Sequence, residues 1–489
     1  MHGLGLVTNT ARYLRAEKAF SKIAVFEQRS TSGGIWNYTG NPRDEHLFNV
    51  PQTHPHVKKQ DPMWRDDSGD TDRSPPTNGV HGLQPPASFL SPIYERLETN
   101  IPRGLMGFQD LAWPQDSQLF PKHETVRQYI EDYGRDVHDL VQYETQVINV
   151  EPADETYDGA WTVLTRNLRT NSQTTQVFDA VIVANGHFIV PYVPDIPAIK
   201  EWNAQFPGAI THSKYYRRPE DFLGKKVVVV GNSASGSDIS TQIAQYSQHP
   251  LLWPSKSDSM FKPAPSPVKR ELPPIAKFLP EIRGVEFEDG TVEKDIDAVV
   301  FATGYFYSLP FLDKIKPSLI TDGSHVHHTY KHLFYAPRPT LSFLALNQRV
   351  IPFPTAEAQS SVLARVYSGR LALPPLSTMQ AWEQDHIQQV SSGRNFHLLP
   401  FPRDAHYINE MSNWALTATR REGLENEGRG KSPPIWGEWE FWCRENFPKI
   451  RAAFGELGEK RFGVRSLEEL GFDFEEHVKE KASGERKMI

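Results

Sequence analysis

Two stretches of the chain combine a short apolar run with a helical pattern of apolar positions. Near the N-terminus, a predicted strand over residues 22–26, apolar after Lys22, ends at the acidic Glu27. It follows MHGLGLVTNTARYL, in which Gly5 opens a predicted helix. Further on, Val227–Val230 lead without a break into a glycine-serine turn and then into a second helix. The exit strands FDAVIVANG and IDAVVFATGY resemble each other. The sequence therefore predicts an α/β chain with two βαβ-type units.

The turn after the second apolar strand carries the strongest local signal. Its sequence GNSASG, residues 231–236, differs from the dinucleotide-binding pattern G-x-G-x-x-G only in having Ser233 at the middle glycine. Gly231 permits a tight turn, a small middle residue lets a pyrophosphate approach the backbone, and Gly236 allows close packing of the helix. Free N–H groups and the helix dipole then favour phosphate groups. The alternative is a glycine-serine turn without a ligand.

The strand predicted after this helix ends differently from an NAD site. In LLWPSKSDS, the strand is followed by Ser255 and Lys256 rather than by Asp or Glu. A carboxylate there would bind a ribose 2′-hydroxyl, whereas a hydroxyl and a cation suit a 2′-phosphate. This end of the strand favours NADP over NAD.

The first unit offers the opposite combination. Glu27 ends its strand as an acidic ribose ligand should, although such a residue taken alone is more often a solvated strand end. Gly34, Ile35 and Trp36 follow, where glycine permits close approach of the backbone and the indole could pack against a flat ring.

One further stretch identifies a family. FPGAITHSKYY contains Phe206, Gly208, His212 and Tyr216, which match F-x-G-x-x-x-H-x-x-x-(Y/F), the identifying sequence of the flavin-containing monooxygenases. In the order that this family shows, the chain also contains FEQRSTSGGIW, YERLETNIPRGLMGF, FPKHETVRQYIEDY, TQVINV, the glycine-serine turn, FATGY and PFPTAEAQSSVLARVYSGRLALP. The chain resembles the flavin-containing monooxygenases over residues 5–375, and most closely their fungal and yeast branch.

The resemblance implies two Rossmann-like, doubly wound domains, with an NADPH domain inserted into an FAD domain. We expect residues 1–196 to form the first part of the FAD-binding domain, 197–308 the NADPH-binding domain, and 309–489 the completion of the FAD domain and a C-terminal region. Gly5 aligns with the third glycine of the first fingerprint, so the first strand and first glycine fall before residue 1. Three interpretations stay open: an incomplete gene model, a divergent chain that holds FAD more weakly, or a protein that has lost flavin.

The resemblance also implies an activity, namely that a C4a-hydroperoxyflavin, formed with FAD, NADPH and O₂, passes one oxygen atom to a soft sulfur or nitrogen atom of a small molecule. Thr99 and Asn100 match the family's Thr-Asn pair beside the isoalloxazine and nicotinamide, so Asn100 is the catalytic candidate. The alternative is that Asn100 forms a turn before Pro102. The residues expected to contact FAD are Gly5, Glu27, Gly34, Ile35, Trp36 and the backbone of Val147, and those expected to contact NADP are Gly231, Ser233, Ser235, Gly236, Ser237, Asp238, Ser255 and Lys256.

The identifying sequence raises two further questions. His212 titrates near neutrality when unperturbed, but in the family this sequence lies between the domains. We therefore expect a structural role, or direct contact with the cofactor, ahead of proton transfer. Tyr216 is followed by Arg217 where Baeyer–Villiger enzymes have tryptophan followed by Pro or Asp, which argues against a dedicated ketone-to-ester enzyme. The rival functions are an N-hydroxylase or Baeyer–Villiger-type enzyme of secondary metabolism, and a flavin-deficient, catalytically dead NADP-binding protein.

The amino-acid composition mainly excludes other classes of protein and of binding site. The 489 residues carry a net charge of −7, which offers no broad basic face for nucleic acid. The single Cys443 excludes a disulfide framework. Neither of the histidine groups THPH and HVHH offers a helical H-x-x-x-H pair with a third ligand close by, and both lie in loop-like sequence, so no metal is predicted. No apolar run has the length of a membrane span. We expect a cytoplasmic protein that takes a small nucleophile and O₂, with a homodimer as one option.

Overall fold

The computed structural model describes residues 4–40, 48–56, 63–65, 71–72, 87–154, 159–256, 267–391 and 393–485. These residues form ten α-helices: α1 (Leu4–Ala16), α2 (His123–Gly134), α3 (Ile199–Gln205), α4 (Ala234–Ile243), α5 (Pro352–Tyr367), α6 (Leu376–Val390), α7 (Arg403–Leu416), α8 (Glu425–Gly428), α9 (Glu438–Glu456) and α10 (Phe474–Glu485). Short 3₁₀ helices cover Gly34–Trp36, Arg135–Leu140, Pro219–Phe222, Pro280–Ile282, Pro310–Leu312, Gly393–Asn395, Gly458–Gly463 and Glu468–Leu470.

The strands of the described part are short and numerous. They are β1 (Val25–Phe26), β2 (Met63–Arg65), β3 (Thr71–Asp72), β4 (Ala87–Ser88), β5 (Val141–Gln142), β6 (Thr145–Pro152), β7 (Trp161–Asn167), β8 (Gln173–Phe178), β9 (Val181–Val183), β10 (Val190–Pro191), β11 (Ile210–His212), β12 (Val227–Val230), β13 (Leu251–Pro254), β14 (Lys269–Leu272), β15 (Ile275–Leu279), β16 (Gly284–Phe287), β17 (Val292–Glu293), β18 (Ala298–Phe301), β19 (Tyr305–Phe306), β20 (Thr329–Tyr330), β21 (Phe334–Tyr335) and β22 (Leu341–Phe343).

A five-stranded parallel sheet organises the middle of the chain, in the order β11-β18-β12-β13-β14. The unbroken valine run of β12 suits a central strand that is covered on both faces. Val227 and Val229 pack with Ile239 and Ile243 of α4, whereas Val228 packs into a second cluster on the opposite face. The predicted strand, turn and helix of the second unit are confirmed.

The first unit is less complete in the described part of the chain. The helix that Gly5 opens is confirmed, because α1 begins at Leu4. The predicted strand over 22–26 is shorter, because only Val25 and Phe26 pair, in parallel, with β5. Within the described ranges, β1 and β9 each have a strand partner on one side, and the partner of β9 is β22. The turn that precedes α1, residues 1–3, lies outside the described residues.

Strand β9 pairs with β22, although β9 precedes and β22 follows all strands of the five-stranded sheet along the sequence. This arrangement is what an interrupted domain requires, and the boundaries at 196/197 and 308/309 stay predictions. The antiparallel strands expected before β9 are present as β6, β7 and β8. No helix in the described ranges is both long and apolar enough to cross a bilayer.

Helix α5 lies at the centre of the molecule. It is buried almost throughout although its sequence contains Glu357, Gln359 and two serines. Such a helix needs partners for its polar groups. Gln359 Nε2 donates to Asn347 Oδ1 and to Tyr407 Oη at 2.9 Å each, and its Oε1 accepts from the N–H of Ala345 at 2.8 Å. Gln359 is thus satisfied by groups of other elements.

Candidate dinucleotide sites

The turn between β12 and α4 has the geometry that close backbone approach demands. Gly231 has φ 105°, and a Cβ there would lie 2.8 Å from the carbonyl oxygen of Ala302. A Cβ at Gly236 would lie 2.2 Å from the carbonyl oxygen of Gly231, so any side chain at 236 would push the turn apart. Ser233 occupies the N-cap position without a side-chain capping hydrogen bond, and both it and Ser235 are exposed at the turn. These features match a pyrophosphate cradle at a helix N-terminus.

The end of β13 lies beside this turn, because β13 pairs with β12 in the sheet. Trp253 Nε1 donates to the carbonyl of Gly231 at 2.9 Å, and the N–H of Gly231 donates to Pro254 at 2.9 Å. Ser255 is half-buried and Lys256 is exposed. The hydroxyl and the cation predicted to favour a 2′-phosphate therefore lie at the edge where the turn opens.

Asp238, whose contact with NADP stays a prediction, also has protein partners. Its Oδ2 accepts hydrogen bonds from Tyr94 Oη and, at 3.1 Å, from Gln242 Nε2. Gln242 Oε1 in turn accepts from Tyr216 Oη at 3.0 Å, and the rings of Tyr94 and Tyr216 meet edge to face with centroids 5.1 Å apart. Tyr94 and Gln242 were not predicted. The sequence signal for Tyr94 is its place in YERLETN, six residues before Asn100.

Arg217, which follows Tyr216 in the identifying sequence, connects this sequence to the segment that precedes the Thr-Asn pair. Its guanidinium is buried and donates to the carbonyls of Ser91 at 2.9 Å and Ile93 at 3.2 Å, as well as to two carbonyls of its own segment. Arg96 also forms an ion pair with Glu220. Residues 91–97 are thereby fastened to the unit that carries α4, and this segment continues directly into the Thr-Asn pair.

Thr99 and Asn100 differ in how they are held. Thr99 is buried, its N–H donates to the carbonyl of Pro121 at 2.9 Å, and its Oγ1 donates to that of Ile101 at 3.0 Å. The half-buried carboxamide of Asn100 has no hydrogen-bond partner among the residues that the structure describes. Thr99 therefore fixes the bend, and Asn100 keeps both its donor and its acceptor available.

His212 is fully buried at the end of β11, with both ring nitrogens engaged. Nδ1 accepts from the N–H of Lys214 at 3.1 Å, so Nε2 carries the proton and donates to the carbonyl of Gly304 at 3.1 Å. Burial lowers the pKa of His212 to about 3. A neutral ring that joins β11 to the FATGY segment fits the structural role better than proton transfer.

Lys214, which was not predicted, is a buried cation next to His212. Its Nζ donates to the carbonyl of Ile189 at 2.6 Å. Burial, together with the charges of Arg217 and Arg29, lowers the pKa of Lys214 to about 7. Its place within the identifying sequence was the available signal. The ammonium is therefore poised between its charged and neutral forms near neutral pH.

The residues expected at FAD form a compact turn. Gly33 and Gly34 have φ 95° and 53°, and a short 3₁₀ helix covers Gly34–Trp36. The carbonyl of Ile35 accepts from Ser91 Oγ. Trp36 is buried, and its Nε1–H has no hydrogen-bond partner among the described residues. A buried, unpaired donor beside left-handed glycines fits a flat group that carries hydrogen-bond acceptors.

Glu27, Val147 and Gly5 are the remaining residues that are expected to contact FAD. Glu27 Oε1 accepts from the N–H of Arg29 at 2.8 Å, and burial raises the pKa of Glu27 to about 7. Glu27 is therefore not the fully solvated carboxylate that its place at a strand end suggested. Val147 is half-buried in β6, beside a bulge between Val147 and Asn149. Gly5 lies in the first turn of α1.

The geometry defines a class of protein: an α/β chain with a strand-turn-helix unit of the kind that binds dinucleotides. The chain matches the Flavin-binding monooxygenase-like family over residues 86–260 and 276–417. It is 34% identical over 443 residues to flavin-containing monooxygenase FMO GS-OX1 of Arabidopsis thaliana, covering 86% of this chain and 84% of that one. It is 29% identical over 479 residues to flavin-containing monooxygenase iboF of Amanita muscaria, covering 84% and 87%.

A solved structure extends this likeness to the fold. The S-allyl-L-cysteine S-oxygenase from Allium sativum superposes with a TM-score of 0.71 at 29% identity and covers 95% of this chain and 94% of its own. The chain belongs to the Flavin-binding monooxygenase-like family and is an oxidoreductase of the monooxygenase class. The predicted family, enzyme class and two-domain α/β fold are confirmed.

Proposed function

We propose that the chain uses FAD and NADPH to transfer one oxygen atom of O₂ to a sulfur or nitrogen atom of a small molecule. The observation that carries this proposal is the turn at residues 231–236, which lies beside Ser255 and Lys256 in a chain of a flavin-binding family. When bound, FAD would activate O₂ and NADPH would supply the electrons.

The residues present suit both groups. The buried donor of Trp36 and the turn at Gly33 and Gly34 would hold the flavin side, and the turn at 231–236 would hold the NADPH pyrophosphate. Asn100 would hold a polar group by donating and accepting at once, without titrating at any working pH. Its neighbours Thr99 and Ile101 are buried and keep water from this side of the bend.

Sulfur is the first choice of acceptor atom. A relative that is similar over nearly the whole chain is named as an S-oxygenase of S-allyl-L-cysteine. Arg217 stands where Baeyer–Villiger enzymes have another residue, and its two terminal nitrogens donate to four backbone carbonyls. Oxidation of ketones is therefore the weaker candidate, and oxidation of amines is the nearer rival.

The proposal is tested with purified full-length chain reconstituted with FAD. We expect a flavin absorbance band and NADPH oxidation that a panel of thioethers stimulates more than matched amines or ketones do. The absence of both a flavin band and NADPH oxidation would contradict the enzyme proposal. A flavin-free preparation that still binds NADPH in preference to NADH would instead support a catalytically dead nucleotide-binding protein.

The preference for NADPH has its own test. Lys256→Gln should raise the KM for NADPH by about tenfold and leave that for NADH nearly unchanged, because only NADPH carries the 2′-phosphate. Lys314→Gln serves as the control, because it removes an exposed lysine that lies 58 residues after Lys256 in the sequence and pairs with Glu151. Equal changes for both nucleotides would argue against the role of Lys256.

A further inference from the structure

Three side chains outside the dinucleotide sites bring potential metal ligands together. A carboxylate oxygen of Asp322 and a ring nitrogen from each of His325 and His327 lie within 4.8 Å of one another. The sequence HVHH does not contain a helical H-x-x-x-H pair, and it predicts no metal site by itself. The loop supplies a third ligand from Asp322, three residues before the first histidine.

The backbone of this loop is anchored on both sides. The N–H of Val326 donates to His397 Nε2 at 3.1 Å, and the N–H of His327 donates to the carbonyl of Leu319 at 2.9 Å. The rings of His325 and His327 are adjacent, with centroids 4.0 Å apart. The loop therefore loses little conformational entropy when a ligand binds between the two rings.

The carboxylate of Asp322 is oriented but not fully used. Its Oδ1 accepts from the N–H of Ser324 at 2.9 Å and from Ser324 Oγ at 2.7 Å. Its Oδ2 has no hydrogen-bond or ion-pair partner in the described part of the chain. Asp322 is exposed, so a cation could reach this oxygen from solvent.

His325 contributes a buried nitrogen that lacks a partner. Its Nδ1 lies 3.0 Å from Ser324 Oγ, and since that hydroxyl gives its proton to Asp322, Nδ1 must carry the ring proton. Nε2 is then an acceptor, and it is buried without a hydrogen bond from any described residue. Leaving such an acceptor unpaired costs free energy, which a bound cation would recover.

Metal binding needs a ring nitrogen that carries no proton, and Nε2 of His325 is such an atom. Neutral imidazole is a metal ligand near pH 7, whereas the protonated ring is not. The guanidinium of Arg394, which is stacked over the ring of Tyr192, interacts electrostatically with the carboxylate of Asp322.

We propose that Asp322, His325 and His327 form a binding site for a divalent cation of the Zn²⁺ type, with water completing the coordination. Two imidazoles and one carboxylate favour Zn²⁺, Co²⁺ or Ni²⁺ over Mg²⁺ and Ca²⁺, which prefer oxygen ligands. Two ligand atoms of one zinc ion lie at most about 4.2 Å apart, so small side-chain rotations close the site. The ion would fasten the loop that the N–H of Tyr307 already contacts at Gly323, by a bond of 2.9 Å.

The test titrates chelator-treated, full-length chain with Zn²⁺ by calorimetry and with Co²⁺ by absorption spectroscopy. We expect one equivalent to bind and to raise the midpoint of thermal unfolding. Asp322→Asn and His327→Gln should each weaken binding by at least about tenfold. His406→Gln, at an exposed histidine of α7, should leave the affinity unchanged and serves as the matched control.

Asp322→Asn is the decisive variant, because the side chain is exposed and its loss should not disturb the fold. Its unfolding midpoint without metal should equal that of the unaltered chain. The absence of saturable binding with one equivalent would overturn the proposal. Equal affinity in the unaltered chain and in both ligand variants would overturn it as well, since the ion would then bind elsewhere.

Discussion

In the unit around β12, one continuous stretch of chain supplies the strand, the turn and the helix, whereas α1 of the other unit depends on distant segments. Glu17, at the end of α1, forms a bidentate ion pair with Arg370, with both N–O distances 2.7 Å and both side chains 2% exposed. Thr10 and Asn9 meet Ser360 of α5 at 2.8 and 3.2 Å. The helix of the first unit is therefore held by tertiary contacts.

Because of this difference, we expect substitutions in the two units to affect different properties, namely NADPH binding in one and the stability of the chain in the other. A change in the β12 turn should act locally, on NADPH alone, because strand and helix are fixed by their own sheet. A change where α1 meets α5 should act on the stability of the whole chain, because α5 is buried at the centre.

The largest effect is expected for Glu17→Gln. It leaves the guanidinium of Arg370 buried without its counter-charge, which typically costs about 3–5 kcal/mol. Chemical denaturation should show this loss in the free energy of unfolding. Glu475→Gln, which breaks an exposed pair with Lys479, is the control and should cost less than about 0.5 kcal/mol. A loss below about 1 kcal/mol for Glu17→Gln would contradict the view that α1 is docked by this pair.

The next effect depends on pH and concerns Glu357 of α5. Its carboxylate accepts from the N–H of Gln109 at 3.0 Å and from Tyr133 Oη at 3.1 Å, and burial raises its pKa from 4.5 to about 7. The folded chain holds this proton more tightly than the unfolded chain. The stability that Glu357 contributes is therefore greatest below pH 4.5 and is lost as the pH rises to about 7.

Glu357→Gln removes this titration, and the amide can still accept from Gln109 while donating to Tyr133. Between pH 4.5 and 7, the unaltered chain should lose up to roughly 3 kcal/mol relative to the variant. Free energies of unfolding at several pH values give this difference, in which the titration of other groups cancels. Parallel curves for the two proteins would show that Glu357 does not carry the raised pKa.

In the β12 unit, Gly236→Ala should act on NADPH alone. The added Cβ would lie 2.2 Å from the carbonyl of Gly231, so the turn must open. Displacement of a binding loop by about 1 Å can cost about 100-fold, and we expect that rise in the KM for NADPH with flavin content unchanged. Gly455→Ala, where no atom lies within 4 Å of the new Cβ, is the matched control. Loss of flavin together with NADPH would mean that the two units are not separable.

The smallest effect tests the link between the units. Tyr94→Phe keeps the ring against Tyr216 but removes the hydroxyl that donates to Asp238. We expect a several-fold rise in the share of NADPH oxidation that ends as hydrogen peroxide, since residues 91–97 lead into Asn100. Tyr335→Phe, whose hydroxyl donates to Pro317 at 3.2 Å, should leave this share unchanged. An unaltered share in Tyr94→Phe would reduce the Tyr94–Asp238 bond to a stability contact.

The same contrast explains what could be predicted. GNSASG could be interpreted from neighbouring residues alone, because a strand, a turn and a helix follow each other there. The ion pair of Glu17 and Arg370 joins residues 353 apart, and the bond of Tyr94 and Asp238 joins residues 144 apart. Nothing in the local pattern marks such partners. The contact of Asp238 with the nucleotide therefore stays a prediction, and the local sequence does not mark Asp322 as a neighbour of His325.

The central claim is that this chain inserts an atom of O₂ into a small molecule. The most direct measurement supplies ¹⁸O₂, NADPH and a thioether to FAD-reconstituted protein and counts label and NADPH per product. We expect one ¹⁸O atom in each sulfoxide and one NADPH oxidised for each sulfoxide formed. Product without label, or NADPH oxidation that yields only hydrogen peroxide, would contradict it.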